Sequence, residues 1–215
     1  EITLNNDGSQ TRCGIKLESS NLNNGYNEIK NVKILKADIG ITMAGEGGNS
    51  CKNNIIDGCI IGTDTGNEIK SIGIQISNSE NFIIRNNIIK NIAGSSDVYG
   101  IYGNNYPNTE FENQIYNNKI YNILSLSTDA SKRAFGVYIA NASNSNSKNY
   151  IYNNMISNIF KQSSFSSSNP NVCLLLYCSS KNYIYQNTFY INDNSGASSR
   201  LLAIYSGSNY IYNNL

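Results

Sequence analysis

The chain has 215 residues, 40% of them apolar and only 14% charged, with a formal net charge of +1. That length allows one domain or two small ones, and that charge gives no steering toward nucleic acid or an anionic membrane surface. It contains no histidine, which excludes Ser-His-Asp and Cys-His nucleophile pairs and His-ligated zinc or haem in this stretch, and no apolar run reaches the ~18 residues of a membrane span.

The compositional bias is toward Asn, with 39 residues, and Tyr, with 16, against 2 prolines. Asn competes for backbone hydrogen bonds and favours turns, whereas Tyr and Ile favour strands. With so few prolines, almost every backbone N–H is free to join a ladder.

Read in chain order, two blocks alternate. The first begins Gly14-Ile15-Lys16-Leu17 and returns as Gly40-Ile41-Thr42-Met43, Gly73-Ile74-Gln75-Ile76, Gly100-Ile101-Tyr102-Gly103, Gly136-Val137-Tyr138-Ile139, Cys173-Leu174-Leu175-Leu176 and Ala203-Ile204-Tyr205-Ser206. The second begins Glu28-Ile29-Lys30-Asn31-Val32 and returns from Asn54, Ile83, Gln114, Tyr150, Tyr183 and Tyr210, most fully as Tyr150-Ile151-Tyr152-Asn153-Asn154-Met155-Ile156. Its marker isoleucines, Ile29, Ile55, Ile84, Ile115, Ile151, Ile184 and Ile211, are 26, 29, 31, 36, 33 and 27 residues apart. A solenoid with loops of variable length gives this spread; a propeller blade of ~40–45 residues does not.

Each block alternates with period two, the pattern of a half-buried strand. One coil therefore carries three short strands: the Gly-Ile-x-Ile strand, the x-Ile-x strand before the Asn pair, and the x-Ile strand after it. The Asn pair is a two-residue corner, since Asn tolerates the left-handed conformation a sharp corner demands. Asn31, Asp57, Asn86, Asn117, Asn153, Gln186 and Asn213 form one corner column, and stacked amides there can bond from coil to coil. The fold class is all-β, a solenoid of about seven coils with Asn-rich two-residue corners. At ~4.8 Å per coil it is a rod roughly 34 Å long. Residues 1–215 read as one β-helix segment, expected to be part of a longer protein.

The three-strand coil with a two-residue Asn corner resembles the pectate-lyase-like superfamily of right-handed parallel β-helices, from about Thr11 to Leu215. The resemblance implies right-handed winding. It also implies that enzymes of this type work on acidic polysaccharide along the first strand, the lyases with a Lys or Arg base and carboxylates holding Ca²⁺, the hydrolases with an Asp-Asp pair and a Gly-His-Gly. This chain has neither hydrolase motif; Gly62-Thr63-Asp64-Thr65-Gly66 holds a single Asp. Lys70, Asp97, Arg133 and Arg200 each stand three residues before the first-strand Gly or Ala. They read as an ionic ladder with Asp97 between Lys70 and Arg133, and Arg133 is also the one candidate lyase base. One Asp cannot supply the 6–8 oxygens of a Ca²⁺ site, so no metal and no cofactor is expected, and the balance of these absences is a non-catalytic chain.

The tyrosines carry the other candidate sites. Tyr102, Tyr138 and Tyr205 fall in one outward first-strand column, beside an outward strip of small residues at Gly14, Gly40, Gly73, Gly100, Gly136, Cys173 and Ala203. Tyr116, Tyr152, Tyr185 and Tyr212 fall in an outward second-strand column, flanked by Tyr150, Tyr183 and Tyr210. Such columns are strand formers stacking on one another, or a flat face for glycan or for a neighbouring copy of the chain. Of Cys13, Cys51, Cys59, Cys173 and Cys178, Cys173 and Cys178 could pair across a loop, and most read as small buried hydrophobes. Asn141-Ala142-Ser143 fits a glycosylation sequon.

Two functions follow as expectations. One is an extracellular or cell-surface structural or adhesive module, a stalk or filament component. The other is a polysaccharide-binding or lyase-like β-helix. Neither involves nucleic acid or membrane insertion.

Overall fold

In the computed structural model the chain is a parallel β-helix, with no helix among the described residues. The structure describes residues 2–3, 11–19, 25–46, 50–64, 69–104, 109–140, 144–161, 170–191 and 198–215; the sequon Asn141-Ala142-Ser143, Thr65 and Gly66 lie outside them.

Three parallel ladders run along the rod. The first joins Cys13–Ser19, the second half of Lys33–Gly45, Ile69–Ser77, Val98–Asn104, Ala134–Ala140, Asn171–Tyr177 and Ser199–Ile204. The second joins Glu28–Lys30, Ile55–Asp57, Ile83–Arg85, Glu112–Tyr116, Lys148–Tyr152, Lys181–Tyr185 and Ser208–Tyr212. The third joins the first half of Lys33–Gly45, Ile60–Ile61, Ile88–Gly94, Lys119–Ser125, Met155–Lys161 and Thr188–Tyr190, with Ile2–Thr3 against Ile34 and Lys36. Because Lys33–Gly45 passes through the bend unbroken, the first and third ladders merge into one 13-stranded sheet. The three-strand coil read from the sequence is present, with seven strands in each of the first two ladders and, among the described residues, no third strand after Ser208–Tyr212.

All three ladders turn an isoleucine column inward. Ile56, Ile84, Ile151 and Ile184 meet Ile61, Ile89, Ile120 and Ile156 and the first-strand Ile41, Ile74, Ile101 and Val137, all fully buried in one cluster. At about 25 cal/mol per Å² of apolar surface removed from water, this continuous column is the main favourable term.

The corner explains why Asn recurs. Asn31, Asn86, Asn117, Asn153, Gln186 and Asn213 have φ between 52° and 57°, and Gly58 has φ 66°. The second coil therefore departs from the sequence alignment by one residue. Ile56, not Ile55, pairs with Ile29 and Ile84, and Asp57 pairs with Lys30 and Arg85. Gly58, not Asp57, takes the left-handed corner, where glycine has no Cβ to clash.

The second Asn of each pair turns inside. Asn154 Oδ1 accepts from the backbone N–H of Asn118 at 3.1 Å and from its Nδ2 at 3.0 Å, while Asn154 Nδ2 donates to Asn187 Oδ1 at 3.0 Å and to the Ile115 carbonyl at 2.9 Å. The same four-bond pattern repeats at Asn118 and at Asn187, and all three side chains are buried. A second buried ladder, not read from the sequence, enters the second strand. Asn27 donates to Asn54, Asn113 to Asn149, Asn149 to Asn182 and Asn182 to Asn209, at 2.9–3.2 Å. Phe82 interrupts it. A third row, Asn91, Asn122 and Asn158, bends the third strand at φ 52–57° and links coil to coil through its amides.

The first-strand glycines face inward, contrary to the expected outward strip. A Cβ on Gly40, Gly73 or Gly100 would stand 2.5 Å from the carbonyl oxygen of Gly73, Gly100 or Gly136 in the next coil, and 2.6 Å from Cγ2 of Ile61, Ile89 or Ile120. Glycine is there because the third-strand isoleucine fills the space. Cys173 continues this column and is fully buried. All five thiols are free, so Cys173 and Cys178 form no disulfide. Burial pushes Cys173 up to about 12 and Cys178 up to about 11.

The ladder and the corner column should differ in cost. Asn154→Ala strands buried donors and acceptors at about 1–3 kcal/mol per group, so urea unfolding should show a loss of about 3–5 kcal/mol. Asn117→Ala, at an exposed left-handed corner, should lose about 1–2 kcal/mol and Asn117→Gly almost nothing.

Candidate functional surfaces

Two faces carry the predicted side chains. On the second-strand face, register places Tyr116, Tyr152, Tyr185 and Tyr212 in one vertical row and Tyr150, Tyr183 and Tyr210 in the next. Ring centroids in the first row are 4.7, 4.9 and 5.0 Å apart, with interplanar angles of 6°, 2° and 2°. In the second row they are 4.9 and 4.7 Å apart, at 14° and 8°. These spacings equal the distance between neighbouring strands, so parallel register alone sets the stacking. The sequence assignment of both rows stands.

The first row continues downward into charge. Below Tyr116 come Arg85, Asp57 and Lys30. Arg85 donates to Asp57 at 3.0 Å and to the Tyr116 hydroxyl at 3.2 Å, and the Lys30 ammonium lies 3.8 Å from Asp57. Asn86 and Arg85 bonding together hold the Asp57 carboxyl below the usual carboxylate range.

The first-strand face is built differently. Tyr102 and Tyr138 stack at 5.6 Å, as their shared column requires. Tyr205 does not join them. Leu175 pairs with Ala203, so Ala203 occupies that column, and Tyr205 stands two residues further along with Tyr177, rings edge-on at 6.0 Å. Arg200 moves with it, lying opposite Val172 rather than in line with Arg133, and its guanidinium reaches the Tyr205 hydroxyl at 3.3 Å.

Tyr99 and Phe135 complete this face, and the sequence reading missed both. Each precedes a column glycine; taking the glycine as outward turned its neighbour inward. With the glycines inside, Tyr99 and Phe135 lie outside and stack at 5.0 Å, and Phe135, Val172, Leu175 and Ala203 form an apolar cluster separate from the interior. Burial raises the Tyr99 and Tyr138 phenols.

Arg133 lies over Phe135, its guanidinium carbon 4.8 Å from the ring centroid. Asp97 does not take that guanidinium: it accepts from the backbone N–H of Arg133 at 2.7 Å and from the Tyr99 hydroxyl at 3.4 Å. The expected ionic ladder is thus a main-chain contact at the Arg133 step. Nε of Arg133 is buried without a hydrogen-bond partner. With Tyr138, Leu175, Tyr177 and Tyr205, Arg133 borders a shallow depression of about 200 Å³. Toward the other end the same columns turn polar, at Lys16, Thr42 and Gln75. Among the described residues no three His, Cys, Asp or Glu side chains gather into a metal-binding group.

The tyrosine row makes a pH prediction. Burial against neighbouring rings raises the Tyr150, Tyr152 and Tyr185 phenols. The unfolded chain loses those protons near pH ~10, while the folded chain still holds them. Stability from this source is therefore intact below that pH and falls as pH rises through it. Urea midpoints measured from pH 8 to 11 should decline, and less steeply in Tyr152→Phe/Tyr185→Phe, which keeps the buried thiols as a common background.

Compared with family models, with curated proteins and with solved structures, the chain matches none.

Proposed function

We propose that this chain is a structural or adhesive segment of an extracellular or cell-surface protein, a stalk or filament component built on the pectate-lyase-like form of the β-helix. The observation that carries this reading is repetition. Its outward groups recur coil after coil in rows instead of converging on one point. Many of its described charges are spent on one another: Arg12 with Asp38, Lys52 with Glu80, Arg85 with Asp57, Lys90 with Asp64 and Lys148 with Glu112. A rod whose coils are tied by buried amides suits a spacer that holds something at a distance. Its partners on this reading are glycan or neighbouring copies of itself, met by the tyrosine rows. Antibodies against the chain should label intact, unpermeabilised cells of the source organism; label that enters only after permeabilisation would sink the proposal.

A second reading is polysaccharide recognition or cleavage on the first-strand face, and Arg133 favours it. Its guanidinium borders an aromatic-lined depression, a setting that suits pairing with a uronate carboxylate. Polygalacturonate titrated calorimetrically should then bind, with Arg133→Ala weakening it at least about tenfold, the scale of one charge-assisted hydrogen bond. Unsaturated product from the wild type but not from Arg133→Ala would make it a lyase. No heat of binding would remove this alternative.

A further inference from the structure

The stacked second-strand tyrosines place seven phenols in two rows whose rings are related by almost pure translation. In the row Tyr116, Tyr152, Tyr185 and Tyr212, every step is 4.7–5.0 Å with planes within 6° of parallel. In the row Tyr150, Tyr183 and Tyr210 the steps are 4.9 and 4.7 Å. Rings so placed bring equivalent ortho carbons face to face, about one coil step apart. The rows reach solvent, with Tyr116, Tyr150, Tyr152, Tyr183 and Tyr185 each partly exposed along the face.

We infer that these rows are a site of oxidative tyrosine coupling, at which a one-electron oxidant of the peroxidase class joins adjacent coils by dityrosine bonds. Each of two neighbouring phenols loses one electron and one proton. The two phenoxyl radicals form a single carbon–carbon bond between ortho carbons, and each ring returns its ortho hydrogen to its oxygen. With hydrogen peroxide as terminal oxidant, two phenols and one peroxide give one biphenol and two waters. The oxidant is external; the chain supplies the geometry. Holding the partner ring one step away replaces an encounter across a loop of some thirty residues with a near-contact pair, which is where proximity acts. The row also offers a radical formed at any of its rings a neighbour of identical chemistry to pass to.

Elsewhere the geometry differs. Tyr102 and Tyr138 stack at the wider spacing of 5.6 Å as a single pair, Tyr99 and Tyr102 are tilted 36° apart, and all three share their cluster with Phe135, which has no phenol to oxidise. Coupling is therefore concentrated on the second-strand face. It rests on ring geometry alone and is independent of where the protein resides.

The test treats the folded chain with horseradish peroxidase and hydrogen peroxide, then reads dityrosine fluorescence and maps crosslinked peptides by mass spectrometry. Crosslinks should fall on Tyr116–Tyr152, Tyr152–Tyr185, Tyr185–Tyr212, Tyr150–Tyr183 and Tyr183–Tyr210. The same reaction on chain unfolded in urea, with ruthenium photo-oxidation replacing the enzyme in both arms, should lower these adjacent-coil products by roughly tenfold or more. Tyr152→Phe/Tyr183→Phe, a conservative pair, should leave Tyr185–Tyr212 as the one survivor of these five products. Crosslinks spread evenly over all tyrosines, only intermolecular products, or ring hydroxylation without coupling would each overturn the inference.

Discussion

A chain that bends sharply inside its own interior must find partners for the N–H and C=O groups at the bend, because water cannot reach them. That requirement organises this molecule. The inner Asn of each corner meets it with one side chain carrying both a donor and an acceptor. Asn154 accepts the amide of the coil before it and donates onward to Asn187, and the pattern holds from Asn87 to Asn214. Serine would offer one donor, and aspartate would place like charges one coil apart in an apolar interior. Only a carboxamide closes the bonds and can be repeated indefinitely.

Everything outside follows from the register this imposes. Once the corner amides fix one coil over the next, residues on each strand fall into vertical rows, and a side-chain type repeated in sequence becomes a column in space. Repeated tyrosine gives a parallel stack; alternating sign gives Arg85 seated on Asp57. The second-strand face is thus ionic toward Glu28–Lys30 and aromatic toward Ser208–Tyr212, with Tyr116 joined to Arg85 where the two meet. The first-strand face makes a parallel change from Lys16 and Thr42 to Tyr102 and Tyr138. Neither change alters the backbone.

The repeat made the architecture legible: isoleucine marks the interior and Asn the corner, both by period. Where the repeat was irregular, reading failed by one or two residues. Asp57-Gly58 resembles an Asn pair in chemistry, yet the glycine and not the aspartate takes the left-handed position, so the frame is one residue off at Ile55. Ala203 resembles the column glycines in size, so Tyr205 and Arg200 were placed two residues out. Inward glycines cannot be recognised from alternation, because two successive residues, Gly100 and Ile101, are both buried, and that break in period hid Tyr99 and Phe135. The ladder through Asn113, Asn149 and Asn182 was visible only as one more polar residue before a strand. No local period marks those residues as buried.

Phe82 gives the rod an internal seam. It replaces an amide with a ring in the second ladder, between Asn54 and Asn113, so the side-chain amide row that spans Asn113 to Asn209 ends on the Phe82 backbone N–H, which donates to Asn113 Oδ1 at 3.4 Å. The backbone changes at the same level. Tyr26, Asn53 and Asn81 turn left-handed before the three-residue strands, while Glu112–Tyr116 and its successors run five residues straight through. Coils in a solenoid share energy only with their neighbours, so a discontinuity of this kind is felt by the coils on either side of it. A disturbance crossing that plane has no amide relay at the strand entry and must pass through the main-chain ladder and the corner amide of Asn87, which bonds the Cys59 N–H and the Ile56 carbonyl of the coil before it.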